Sequence, residues 1–206
     1  MDVVVAYSLD HIIKASLKTA LTYKEYSELI SDLVAIEASS GVDASPALVE
    51  YTKLNQKRMA RWDKTITISD GVKSRIQSFD KHVTWLVLTE TWCGDAAHVI
   101  PIINKVAELN PNISLKLVFR DEHPELMDRF LTNGGKSIPK LIMIDNDTNE
   151  VVNTFGPRPS EATAMVEDFK STHGSLTDEF KGQLQAWYNK NKGQNIIEDL
   201  LVMLGV

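Results

Sequence analysis

The chain lacks a second cysteine. Cys93 stands alone among 206 residues, so no internal disulfide can staple the fold, and a solitary thiol belongs in a reducing compartment, of which the cytoplasm is the default. A basic leader is missing too. The chain opens MDVVVAYSLDHIIK, and no apolar run nears the ~18 residues that a membrane span requires. The expectation is a soluble, cytoplasmic protein with no membrane partner. Positive charge is in short supply, with 22 Lys and Arg against 28 Asp and Glu and a net charge of -6. A general polyanion-binding role is therefore not expected, nor is nucleic acid as a partner. Internal repeats and low-complexity stretches are absent as well. What remains is long enough for one medium domain, or a compact core with additions, burying roughly 70% of the surface its unfolded form exposes.

Two helices are legible in the first third of the chain. Thr22-Tyr23-Lys24-Glu25 is a capping box, followed by an apolar stripe at Tyr26, Leu29, Ile30 and Leu33 that must dock on something. This helix is expected to end near Ser40-Gly41. Ser45-Pro46 supplies an N-cap and a first-turn proline for a second helix running to about Trp62. Lys53, Lys57 and Arg61 recur on one face of it, with Arg58 and Lys64 nearby and Asp63 the only acid between residues 53 and 64. A solvated face explains such a row; the sharper reading is an anion-attracting wall near the thiol.

From residue 65 the pattern changes. A helix over about 70 to 79 precedes the strand-like WLVLTE; Cys93 to Leu109 reads as helix, SLKLVF as strand and PELMDRFL as helix. KLIMID and EVVNTF are two strands joined by the polar turn Asn146-Asp147-Thr148-Asn149. A strand, a crossover helix and a strand make a parallel pair, whereas a tight polar turn makes an antiparallel hairpin, so the expected sheet is mixed with helices on both faces. After the break Gly156-Pro157-Arg158-Pro159, Ser160 to Ser171 is expected to be helical, then two tail helices over about 176 to 190 and 193 to 204. The last has an apolar face of Ile196, Ile197, Leu200, Leu201 and Leu204. Its first use is intramolecular docking and its second a homodimer interface. On this reading the chain divides into a helical N-terminal extension (1–64), a core (65–171) and C-terminal helices packed on the core (172–206).

Within the core, three features stand in order: Trp92-Cys93-Gly94 after an apolar strand, Pro101 eight residues beyond the cysteine, and Ile138-Pro139 before the hairpin. This arrangement resembles the thioredoxin family, whose fold is α/β with a mixed parallel and antiparallel sheet in three layers. The resemblance implies a redox motif at Cys93, a kinked helix at Pro101 and a cis proline at Pro139. Elementary chemistry agrees. A cysteine in the first turn of a helix faces unpaired N–H groups and the positive end of the dipole, which favour the attacking thiolate. A cis proline presents a bare backbone edge to an extended substrate. The candidate site is therefore Cys93 as nucleophile at an exposed junction, with Trp92, Gly94, Asp95, Ile138 and Pro139 forming a groove that reads backbone. Free cysteine is also commonly a small buried hydrophobe, and Trp92 serves equally well as core.

The departures from the family narrow the chemistry. Ala96 replaces the resolving cysteine, and Val87 stands where dithiol thioredoxins keep a buried acid, so an internal dithiol cycle is excluded and an external thiol must release any mixed disulfide. Asp95 opposes the helix terminus: at ~6 to 7 Å its repulsion of about 0.6 to 2.5 kcal/mol offsets a dipole contribution of ~0.3 to 2 kcal/mol. Without a basic neighbour the thiol is expected near ~8.5. Arg58, Lys57, Arg120 and Lys140 are the candidate thiolate or anion partners, with Asp121 and His123 on the same rim as the strand ends. Cys93 and His98 lie about 140° apart around a helix and do not converge on a metal, and Glu90-Thr91 stand where glutaredoxins place a basic residue. No metal and no cofactor are expected. Two functions follow: monothiol exchange on a protein disulfide or small-thiol adduct, completed by an external low-molecular-weight thiol, or a redox-inactive member that binds a protein partner. The threonine and arginine pattern of a peroxidatic cysteine is lacking.

Overall fold

The computed structural model describes residues 7–42 and 45–206. Four helices come first: α1 (Leu9–Leu17), α2 (Tyr23–Ala35), α3 (Pro46–Thr65) and α4 (Asp70–Ser78). Strand β1 (Val83–Thr89) follows, then α5 (Gly94–Ala107), β2 (Ile113–Phe119), α6 (Pro124–Arg129), β3 (Lys140–Asp145) and β4 (Val151–Phe155). The chain closes with α7 (Ser160–His173), α8 (Asp178–Asn191) and α9 (Gln194–Leu204).

β1 is apolar along almost its whole length because both of its faces are covered. It pairs in parallel with β2 from Val83–Ile113 to Thr89–Phe119, and antiparallel with β3, giving the sheet order β2-β1-β3-β4. The crossover through α5 explains the parallel pair and the polar turn explains the β3–β4 hairpin, as expected from their connections. The mixed α/β architecture expected from the sequence is thus present. α9 buries Ile196, Ile197, Leu200, Leu201 and Leu204 against the rest of the chain.

Two local outcomes differ from the sequence reading. No element was expected at Leu9–Leu17, yet Ser8 caps α1 by accepting from His11 N–H at 3.3 Å, and Ile12 and Ile13 are buried. The Thr22 capping box forms as expected, but α2 stops at Ala35 instead of continuing towards Ser40. Glu37 takes a positive φ and Ala38 N–H closes onto Leu33 C=O at 2.8 Å, which releases the next residues to reach the cysteine loop. In α3 the buried stripe is Val49, Thr52, Asn55, Met59 and Trp62, lying along α5. Met59 and Trp62 supply roughly 1.5–3 kcal/mol each of apolar burial to that contact. Lys53 lies off this stripe, paired with Glu50 at 2.9 Å and Glu37 at 3.4 Å.

Candidate functional site

The segment Glu90–Cys93 is held from behind by the N-terminal helices. Ser40 Oγ donates to the Glu90 carboxylate, Thr91 N–H donates to Ser40 Oγ at 2.8 Å, and Ser40 N–H donates to Thr91 Oγ1 at 3.0 Å. Thr52 Oγ1 lies 3.0 Å from Thr91 Oγ1, and Asn55 Nδ2 donates to Thr91 C=O at 2.9 Å. Glu90 itself is fully buried, accepts from Asp121 N–H at 2.9 Å and has its pKa raised by that burial. These polar contacts explain why Thr52 and Asn55 face inward on α3: buried polar groups need partners, and the cysteine loop provides them.

Cys93 occupies the N-cap position of α5. The Ile138–Pro139 bond is cis, and Cys93 Sγ donates to Ile138 C=O at 3.3 Å. The expected exposed junction is corrected here, since Cys93 is only 9% exposed and joins the core cluster. α3 packs along α5 from one side, and Tyr188 of α8 reaches the first turn of α5 from another. That burial pushes the Cys93 thiol up to about 12, with the Asp95 carboxylate adding to the rise, while the Ala96 and Asp95 N–H groups and Arg158 pull it down. The expectation of an ordinary thiol near ~8.5 omitted this dehydration, which outweighs the helix terminus.

Arg158 is the basic group that the sequence reading did not single out. Its guanidinium pairs with Asp95 at 2.7 Å, and Tyr188 Oη donates to the same carboxylate at 3.0 Å. The route to this position depends on Gly156, which has φ +102° and whose Cβ, if present, would lie 2.3 Å from Pro139 C=O. Only glycine lets the chain pass so close to the cis-proline loop. The motif Gly156-Pro157-Arg158-Pro159 was legible as a break; its closeness to Pro139 was not.

The other expected partners divide. Arg58 lies over the first turn of α5, with Nη1 3.5 Å from the position a Cβ on Gly94 would take and donating to Asn55 Oδ1 at 3.0 Å. Arg120 pairs with Asp121 at 2.8 Å and lies over the Trp92 ring at 5.1 Å. Lys140 is buried and donates to Thr132 Oγ1 at 3.3 Å. His123 bonds to Thr19 at 3.1 Å, on the side of α1.

His98 belongs to a separate buried contact. Trp62 Nε1 donates to His98 Nδ1 at 2.8 Å, so the neutral ring carries its proton on Nε2, which faces the Gln185 side-chain amide with Gln185 Nε2 2.6 Å away. The ring also stacks on Tyr188 with centroids 4.4 Å apart. Burial lowers the His98 pKa to about 4. Because the unfolded chain binds this proton near ~6.5, stability is lost as the pH falls from there through 4, by up to about 3 kcal/mol from this group. His98→Gln is expected to flatten that part of the profile, read from urea midpoints of the two proteins at neutral and mildly acid pH. Parallel profiles would exclude the assignment. Among the described residues no group of three or more His, Cys, Asp or Glu is placed to hold a metal, and no helix is long and apolar enough to cross a membrane.

A thioredoxin family profile matches residues 41–170. No curated protein matches the chain. Among solved structures, a Pseudomonas aeruginosa protein of unknown function is similar at 18% identity and a TM-score of 0.56, over 74% of this chain and 84% of that one. An HIV epitope scaffold is similar at 16% identity and a TM-score of 0.56, over 85% of this chain and 96% of that one. These two likenesses concern the fold. With a strand, a cysteine-capped helix and a cis proline meeting at one sulfur, and the profile spanning most of the chain, the protein belongs to the thioredoxin family.

Proposed function

We propose that the protein performs thiol–disulfide exchange through Cys93 as a monothiol. The observation that supports this reading most is the sulfur at the start of α5, 3.3 Å from the carbonyl that precedes the cis proline. In the first step the Cys93 thiolate attacks one sulfur of a substrate disulfide, forming a Cys93 mixed disulfide and releasing the other half as a thiolate. In the second, an external low-molecular-weight thiolate attacks that mixed disulfide. Cys93 is regenerated, and the external thiol leaves joined to the bound half. The half released in the first step is reduced, the external thiol is oxidised into a disulfide with the other half, and no second cysteine is needed. Ile138 and Pro139 offer backbone to the substrate, while Trp92 and Gly94 bound the groove. A lone thiol with an external reductant suits a reducing compartment such as the cytoplasm.

The raised pKa makes the resting thiol a protected one, so attack requires the sulfur to be rehydrated. α8 is suited to admit solvent, since most of its residues are exposed and its buried side chains are Phe180, Leu184 and Tyr188, with Gln185 and Trp187 part-buried beside them. The N–H groups of Ala96 and Asp95 and the Arg158 charge then act on an accessible sulfur.

The same burial favours a second reading, a redox-inactive binding protein that keeps Cys93 as packing. A turnover assay separates them. Release of a small thiol from a labelled mixed-disulfide substrate, with excess external thiol, is expected to fall to the uncatalysed rate in Cys93→Ser. Equal slow rates for the two proteins would leave the binding reading.

A further inference from the structure

We infer that the groove between α1 and α6 is a binding site for a small organic cation with a flat, apolar body, separate from Cys93 and independent of the exchange reading. The groove encloses about 390 Å³, room for one such molecule. Its floor is apolar and packed: Ile12 is 5% exposed and Leu126 is wholly buried. One polar group interrupts that floor. Ser16 lines the groove with only 2% of its surface exposed, and its hydroxyl has no hydrogen-bond partner among the described residues. Buried hydroxyls are normally partnered, so this one is left for a group that enters the groove.

One wall is aromatic and the rim is acidic. The Tyr7 and His11 rings stack with centroids 4.6 Å apart and planes 12° from parallel, and Arg129 ties the stack to α6 by donating to Tyr7 C=O at 3.2 Å. Tyr7 stays 46% exposed, which leaves aromatic surface on which a flat cation can lie. Glu122 and Glu125 also line the groove, and among the described residues neither has a cation within ion-pair distance. Burial lowers the His123 pKa, and its Nε2 is engaged with Thr19 at 3.1 Å, so that ring stays neutral near pH 7 and does not repel a cation. Each feature has its counterpart in one ligand: a planar cationic head for the carboxylates and the stack, an apolar body for Ile12 and Leu126, and a polar group at the far end for Ser16. An anion would meet the two carboxylates and be repelled.

The whole chain is titrated with para-aminobenzamidine and with para-aminobenzamide, its neutral isostere, while the backbone amide signals are followed by NMR. The amidine is expected to bind with shifts centred on Ile12, Ser16 and Leu126, about tenfold more tightly than the amide, as one charge-assisted pair predicts. Glu122→Gln combined with Glu125→Gln is expected to remove that preference, and Ser16→Ala to weaken both probes by about fivefold. Both glutamates are exposed, so their replacement leaves the fold in place. Equal affinity for the two probes, a preference that survives the double glutamine variant, shifts centred elsewhere, or no saturable binding of the amidine would overturn the inference. Cys93→Ser is expected to leave these affinities unchanged, so the exchange reading and this site stand or fall separately.

Discussion

Replacing Arg158 with Met is expected to destabilise the fold by about 3 kcal/mol, because it strands the Asp95 carboxylate in a place built for a pair. Asp95 and Arg158 side chains are 14% and 22% exposed and meet at 2.7 Å. Breaking such a pair from one side leaves an uncompensated charge, whereas removing both sides does not. The double variant Asp95→Asn with Arg158→Met is therefore expected to regain most of the loss in urea unfolding. Sign matters for the pH dependence. Burial already raises the Asp95 pKa, and losing Arg158 raises it further. The deficit of Arg158→Met should then shrink as the pH falls and Asp95 takes up a proton. A deficit that stays constant with pH, or is the same in the double variant, would show that Arg158 acts by packing.

The second large effect concerns the thiol. Asp95→Asn removes the repulsion that adds to the burial of Cys93 while leaving an amide for Tyr188 to bond. At ~6 to 7 Å and an effective dielectric of 20 to 40 the repulsion is about 1.2 to 2.8 kcal/mol, or roughly one to two pKa steps. Each step gives tenfold more thiolate but a less nucleophilic one, so the net gain is about threefold per step. Capture of Cys93 by an uncharged disulfide reagent at neutral pH is thus expected to speed up by about three- to tenfold. An unchanged or slower rate in a protein that keeps its circular dichroism would mean that Asp95 helps the thiol to lose its proton.

Much of this arrangement was legible in the residues, and what was not has physical causes. Periodicity and caps located nearly every helix and strand, because α2 and the sheet hairpin carry local signals that tertiary packing did not override. α1 went unread because it is short and ends at Leu17 in a lysine-threonine stretch without a strong stop. Cys93 and Pro139 could be placed together because a strand followed by a cysteine-capped helix, and a proline before a hairpin, fix both to one edge of the sheet. The burial of the sulfur could not be seen, since the segments that meet the start of α5, among them α3, Tyr188 of α8 and the Ile138 carbonyl, are remote in sequence and no local pattern encodes their approach. The same holds for Arg158. Its pairing with Asp95 depends on Gly156 passing the Pro139 carbonyl, a contact between segments that read separately as a break and a loop. Arg58 was chosen for charge alone, and its orientation by Asn55 emerged only when the buried face of α3 was known.

The most direct measurement is intact-mass spectrometry of the folded protein held with an excess of a small-molecule disulfide, then with the corresponding thiol. The account predicts a single mixed disulfide on Cys93 that forms under native conditions and is discharged by the thiol. An adduct that appears only once the chain is unfolded by denaturant would contradict it, and would identify Cys93 as part of the packing.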